Sequence, residues 1–511
     1  MQRLLMIRVS DFVVKYLANI GISNIFTVSG GGSIFLCDAL HKNKKIKYIS
    51  CHHEQAVAFA AEGYSRLSNN IGSAIVTTGP GGTNAITGVA SCWIDSIPVI
   101  FISGQVFLNQ TIKKSKLRQL GVQEINIIDL VKPITKYAEI VKNKNDIKMQ
   151  LDKCLYYSKS NRFGPVWLDI PADIQSSYVD ESQLKSFVPK PIIKASSIVQ
   201  SVNKVVSMLK NCKRPLILLG HGVKLSNSQK IYEKIINKYK IPFCLTWNAS
   251  SIIESQNEFF MGRPGAFAER GTNFIIQNCD LILCIGTRLP YMVTGYNSKK
   301  FAKKARKIMV DIDESELNKK SINLNLKIKS DAKIFAEILL NKLAIKSKIN
   351  YDDDWLKYCH NIRKKYPIVL TEYKKQKKYV NSYYFIELLS KKLKPSDTII
   401  TDMGLSFVGT HQTFIAKKNQ KLFTNSGHAP MGWGLPAAIG AYFASKKGNV
   451  ICITGEGGLQ MNIQEFATVQ HHKIPLKIFI YNNGGYLTIK QTQQLGMGSR
   501  IMGSDKDSGL S

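Results

Sequence analysis

Acidic residues are scarce in this chain: 36 Asp and Glu stand against 70 Lys and Arg, leaving a formal charge of +34 and a pI near 9.7. A surplus of that size can mark a polyanionic partner. A nucleic-acid footprint is a cluster of basic residues, however, and these lysines run the length of the chain among abundant Ile and Asn. The bias is compositional, and no nucleic-acid partner is expected. Long apolar runs are missing as well. The opening MQRLLMIRVSDFVVKYLANIGI carries charges inside its apolar stretch and reads as an amphipathic helix, a poor signal peptide. No uninterrupted apolar run of about eighteen residues follows that could span a bilayer. The ten cysteines are scattered, with neither a C-x-x-C pair nor a Cys/His zinc spacing, so nothing demands disulfides or structural zinc. No sequence repeat is visible. The expectation is a soluble cytoplasmic protein with no membrane partner.

Glycine, by contrast, is plentiful, with 36 in 511 residues, beside a hydrophobic fraction of 44%. A chain of this length exceeds one hydrophobic core and suits about three domains. Strand-like apolar runs alternate with helical patterns and Gly-rich turns, the signature of parallel α/β layers. In the first third, 74–77 reads as a strand, 79–82 as its turn, 84–94 as a helix and 98–102 as the next strand. The stretch 187–197, with Pro189 and Pro191 among lysines, reads as a linker. A second unit opens with the strand 215–219 and includes strands at 281–285 and 307–310. A lysine-rich helical stretch over 330–380 leads to a third unit, opened by the strand 398–401. The predicted domains are 1–186, 187–345 and 346–511.

The sharpest local signal is NVICITGEGGLQMNIQEFATVQHHKIPLKIFIYNNGGY, from Asn449 to Tyr486. It predicts a strand over 450–453, a tight turn permitted by Gly455, Gly457 and Gly458, a helix over 459–471 and a strand over 476–481. That is one βαβ crossover, with both strands ending at the same edge of a parallel sheet. Glu456 follows the first strand and Asn482 and Asn483 follow the second, at the edge where open α/β sheets bind ligands. A carboxylate, an amide oxygen and phosphate oxygens suit magnesium. The same residues also suit an ordinary crossover with paired Asn as turn formers, and G-E-G-G is neither a dinucleotide fingerprint nor a P-loop.

This segment resembles the thiamine diphosphate motif, which runs from G-D-G through a helix to a double Asn, and QMNIQEFATV is close to the version in acetolactate synthases. The resemblance implies thiamine diphosphate and magnesium as cofactors, with Glu456, Asn483 and the backbone carbonyl of Gly485 as metal ligands. The family has Asp where this chain has Glu456, whose extra methylene must be absorbed within a turn built for a shorter side chain. A second phrase, CHHEQAVAFAAEGYSRL followed by TTGPGGTN, resembles the pyrimidine-binding domain of the same family. Taken alone, Glu54 at the start of that helix could simply complement the helix dipole. The resemblance makes it the essential acid, donating a hydrogen bond to the pyrimidine nitrogen so that the cofactor's own amino group can remove the thiazolium C2 proton; a buried carboxyl can keep the proton this needs near neutral pH. Met431, in SGHAPMGWGLP, matches the bulky apolar residue that holds the cofactor bent, and Pro80, Asn84, Gln123 and Gly404 match positions around it.

The fold implied is three parallel-sheet α/β domains of the thiamine diphosphate-binding type. The activity implied is decarboxylation of a 2-keto acid, with pyruvate as donor, and carboligation to a carbonyl acceptor. A non-ligating decarboxylase and a weakened cofactor-binding scaffold are the competing readings. In this family the two halves of one site come from different chains, which implies a homodimer or homotetramer. Three departures bear on specificity. GTRLPYMVTG keeps Arg288 but has Met292 where the acceptor pocket has a second Arg, and Thr492 stands where the family has a Trp. The middle domain of acetolactate synthases binds FAD, which Gly220-His221-Gly222, 265–271 and Arg288 match only loosely, so flavin is a possible further cofactor. The chain stops at GSDKDSGLS, where family members continue for several dozen residues, so the third domain is expected to be shortened.

Overall fold

The computed structural model describes residues 6–112, 115–189, 197–345, 349, 351–445 and 447–510. The chain divides into two compact units, 1–191 together with 425–511, and 192–424. Most of the predicted linker, 190–196, lies outside the described residues. No helix among the described residues is long and apolar enough to cross a membrane.

The first unit is built on a six-stranded sheet in the order Lys47–Ser50, Asn24–Thr27, Gly72–Val76, Val99–Gln105, Val166–Pro171, Tyr137–Ile140, with every pairing parallel. The central strands are buried throughout, which is why they read as near-continuous apolar runs rather than alternating ones. The helices Glu54–Ser68 and Pro80–Asp95 contribute Ala56, Ala58, Ala60, Ala61, Ala85 and Val89 to the core on one side of this sheet. The same unit holds the parallel pair Val450–Gly455 and Lys477–Tyr481, in register from Ile451 opposite Lys477 to Gly455 opposite Tyr481. The second unit carries a five-stranded parallel sheet in the order Phe243–Leu245, Pro215–Leu219, Leu281–Ile285, Arg306–Asp311, Leu326–Lys329, and a separate parallel pairing of Thr398–Thr401 with Lys421–Phe423. The fold is α/β with parallel sheets.

Three local expectations are corrected. The opening helix starts only at Val9; Met6–Arg8 is a strand paired antiparallel to Tyr178–Asp180, a partner no local pattern reveals. The helix predicted over 84–94 starts at Pro80, because Gly79 turns the chain at φ 61° and Pro fits the first helical position. The helix predicted over 459–471 is instead Glu456–Gln460, a 3₁₀ turn at Ile463–Glu465 and Phe466–His471. The break lies at Asn462, whose φ is −136° and whose side chain is committed to other partners.

One buried acid of the first sheet has a titration consequence. Asp169, 1% exposed, accepts hydrogen bonds from Ser103 Oγ at 2.6 Å and Gln105 Nε2 at 3.1 Å. Burial pushes its carboxyl up to about 7, against the opposing pull of those two bonds. The unfolded carboxyl ionises near pH 4. Between about pH 4 and 7 the native chain therefore holds the extra proton, and this contribution to stability falls as pH rises through that window. Asp169→Asn should remove the dependence. The variant's Tm should match the parent's near pH 4 and exceed it above pH 7, by an amount corresponding to a few kcal/mol at most; parallel curves for the two proteins would refute the assignment.

Candidate active site

Glu54 opens its helix behind His53, whose imidazole accepts the Gln55 N–H. It is 8% exposed, and its Oε2 accepts a 3.0 Å bond from Asn84 Nδ2. Asn84 comes from the Pro80–Asp95 helix, which approaches closely because Gly88 faces Ala58: a Cβ there would stand 2.3 Å from the Ala58 methyl. The other oxygen, Oε1, lies beside Gly81, 3.5 Å from where a Cβ would be. Gln123 lies against the start of the same helix. It adopts φ 64°, and its carbonyl packs so tightly on Gly79 that a Cβ there would be 2.2 Å away, while its side chain is exposed. Glu54, Pro80, Asn84 and Gln123 thus form one cluster.

A second cluster forms where the Val450–Gly455 strand ends. Gly455 caps the short Glu456–Gln460 helix, whose first residue is Glu456. After the neighbouring strand the chain turns through Asn482, Asn483, Gly484 at φ 75° and Gly485 at φ 113°. Glu456 Oε1 accepts the Asn483 N–H at 3.0 Å and the Gly485 N–H at 2.8 Å. Its Oε2 is buried and has no hydrogen-bond partner. The Glu456 side chain thus reaches the backbone of that turn. Contact with Asn483 runs through its main chain, and Asn483 is exposed. Gly457 has no room for a side chain, since a Cβ would lie 2.3 Å from the Tyr486 ring and 3.5 Å from Met431 Cε. Gly458 is buried one residue further on, with its carbonyl near Gly432, which turns at φ 79°. Gly404 belongs to the other compact unit. There it caps the Leu405–Thr413 helix at φ 82°, with open space where a Cβ would be.

Residues that sequence reasoning did not single out connect the two clusters. Asn462 Nδ2 donates to Gln55 Oε1 at 3.1 Å and to the Gly432 carbonyl at 2.9 Å, tying the start of the Glu54 helix to the segment carrying Met431. Tyr486 seals Gly457. Their only sequence signal was proximity to the motifs, because each acts through a contact distant along the chain.

An anchored carboxylate with one buried oxygen left over suits a hard cation. Among the described residues no group of three or more His, Cys, Asp or Glu side chains could hold a metal, so a cation at Glu456 would depend on amide, carbonyl and ligand oxygens. The acid-bearing cluster and the Gly-lined cluster each supply groups of a kind that a diphosphate cofactor uses, a buried acid in one and closely approachable backbone in the other. Matching this, three family profiles cover the chain in order: the N-terminal TPP binding domain of thiamine pyrophosphate enzymes at residues 7–130, their central domain at 202–339 and their C-terminal TPP binding domain at 402–510. The chain is 32% identical to the acetolactate synthase large subunit of Cyanidium caldarium, over 95% of this chain and 82% of the relative. It is 30% identical to that of Lactococcus lactis, over 95% and 82%, and 30% identical to the isozyme 2 large subunit of Escherichia coli, over 95% and 85%. The chain belongs to the thiamine pyrophosphate enzymes, in the family of the acetolactate synthase large subunits.

Because Tyr486 occupies the space a Cβ would need, Gly457→Ala should overpack the second cluster. We expect a destabilisation of about 1–3 kcal/mol in chemical denaturation, whereas Gly496→Ala, which meets nothing within 4 Å, should cost far less.

Proposed function

We propose that this chain decarboxylates a 2-keto acid, with pyruvate as donor, and joins the remaining fragment to a carbonyl acceptor, using thiamine diphosphate and magnesium. The observation that carries the reading is the Glu456 carboxylate, whose Oε1 is fixed by two backbone N–H groups while Oε2 is buried and unpartnered. In this reading Oε2, the Asn483 amide oxygen and the Gly485 carbonyl hold magnesium. That carbonyl accepts the Leu487 N–H at 3.1 Å and keeps a second lone pair. Gly455, Gly457 and Gly458 let the diphosphate approach the backbone.

Bound thiamine diphosphate would supply an electron sink at its thiazolium C2. Glu54 would donate a hydrogen bond to its pyrimidine nitrogen, with Asn84 holding the carboxyl in place. Met431 would support the bent cofactor, with Pro80, Asn84, Gln123 and Gly404 around it. We read the chain as three domains, 1–186, 187–345 and 346–511, each containing one of the matched segments. We also read the working enzyme as a homodimer or homotetramer, with each site shared between chains, in the cytoplasm. No flavin step is assigned. Gly220, Gly222 and Gly286 are accounted for by packing on one another, since a Cβ on Gly220 would stand 2.3 Å from the Gly286 carbonyl.

Acceptor choice is where this chain departs from the family pattern it resembles. Thr492 turns its hydroxyl back onto the Thr488 carbonyl at 3.0 Å, and Met292 brings a thioether, so neither offers a cation to a second carboxylate. Losing a bidentate Arg contact removes about 1.5–3 kcal/mol for a carboxylated acceptor, roughly one to two decades in rate. A neutral ketone or aldehyde loses nothing. Little acetolactate should therefore form from pyruvate alone, and neutral aldehydes should raise product yield. Efficient acetolactate synthesis with no gain from neutral acceptors would sink the altered-acceptor reading.

Two variants test the machinery. Glu54→Gln keeps the shape but cannot cycle the proton, so turnover should fall roughly 10²–10⁴-fold with cofactor binding largely intact; near-normal carboligation would defeat the role. Glu456→Ala should abolish magnesium-dependent thiamine diphosphate affinity in a direct titration, and Glu456→Asp should hold or improve it. Undiminished cofactor binding by Glu456→Ala would show that the metal site is wrongly placed.

A further inference from the structure

The Glu54–Ser68 helix carries a second acid, Glu62, which is fully buried. Its carboxylate accepts from Arg66 Nε at 2.9 Å and Nη2 at 2.6 Å, from Trp433 Nε1 at 2.8 Å, and from Asn425 Nδ2 at 3.1 and 3.2 Å to its two oxygens. Arg66 is divided between two acids, because its Nη2 also donates to Asp95 at 2.6 Å. Arg66 is thus shared by two buried carboxylates, and the neutral donors of Trp433 and Asn425 add to the shell that a buried anion requires.

Those two donors stand at either end of the segment that contains Met431. Asn425 also passes the constraint along the chain: its Oδ1 accepts the His428 and Ala429 N–H groups at 3.3 Å each, and Ala429 is held at φ 58°. At the other end the Arg66 guanidinium lies 5.6 Å from the Trp433 ring centre. The two donors come from 363 and 371 residues along the chain, so one buried carboxylate holds both ends of the same segment. We propose that Glu62 is a positioning residue that sets the conformation of the Asn425–Trp433 segment and, through it, the placement of Met431 against the cofactor. The last step rests on the role proposed for Met431 above.

Amide hydrogen exchange on the cofactor-free protein tests the first step. Glu62→Gln and Trp433→Phe should each speed exchange at His428 and Ala429 by roughly ten- to a hundredfold, the effect of losing one charge-assisted bond. Exchange in the strands of the six-stranded sheet should stay unchanged. A purely structural Glu62 would lower Tm while leaving local protection at 428–429 unaltered, and that result overturns the proposal. Trp433→Phe carries the test if Glu62→Gln does not fold. The second step is read from the rate of C2 hydrogen–deuterium exchange in bound thiamine diphosphate. Glu62→Gln should slow it severalfold, and Glu62→Gln with Met431→Ala should be no slower than Met431→Ala alone, as expected for residues acting through one path. Additive effects would contradict the coupling. An unchanged rate in Met431→Ala would instead refute the Met431 role, with the amide result still deciding whether Glu62 governs the segment.

Discussion

The closeness of two helices fixes how the two candidate clusters sit within one chain. A Cβ on Gly440 would stand 1.9 Å from the Ala60 carbonyl, and one on Gly63 would stand 2.2 Å from the Ala437 carbonyl. The Glu54–Ser68 and Gly434–Ala444 helices therefore touch backbone to backbone, with Ala56, Ala58, Ala60 and Ala61 buried along the first. Nothing larger fits without moving one helix off the other. The first helix begins with Glu54 and reaches Asn84 through its contact with the Pro80–Asp95 helix. The second follows Met431 and leads into the strand that ends at Gly455, just before Glu456. A contact between small apolar residues thus sets where the acid-bearing cluster and the glycine-lined one stand in the single chain.

Polar groups work inside that frame. Glu456 uses one oxygen to fix the turn after the neighbouring strand, a role that needs no cation, while the other is buried without a hydrogen-bond partner. Asn462 spends both amide hydrogens on tying the two clusters together. The buried acids Glu62, Asp95 and Asp169 are each hydrogen-bonded, as interior charge demands. The strongly basic composition leaves no trace in this arrangement, since the charges that matter here are acids and one arginine.

Much of this was legible in the sequence. The strands at 215–219, 281–285 and 398–401 fall where apolar, β-branched runs placed them, because a buried parallel strand needs little else. The crossover from Val450 to Tyr481, and with it the adjacency of Glu456 and the Asn482–Gly485 turn, followed from the parallel-strand rule. Tertiary chemistry escaped it. The break at Asn462 depends on acceptors at Gln55 and Gly432, and the Met6–Arg8 strand depends on Tyr178–Asp180, distances along the chain that no local window spans. Nothing local singles out Glu62, because its partners Asn425 and Trp433 lie 363 and 371 residues away along the chain.

In the proposed site Glu456 both organises the turn and offers an oxygen to the cation. Anomalous diffraction from crystals of the chain grown with thiamine diphosphate and Mn²⁺ in place of magnesium tests it most directly. One strong peak is expected within about 2.0–2.3 Å of Glu456 Oε2, with Asn483 and the Gly485 carbonyl completing the protein ligands and Oε1 still bonded to the two turn amides. A peak away from Glu456, or cofactor bound with Oε2 still unpartnered, would contradict it.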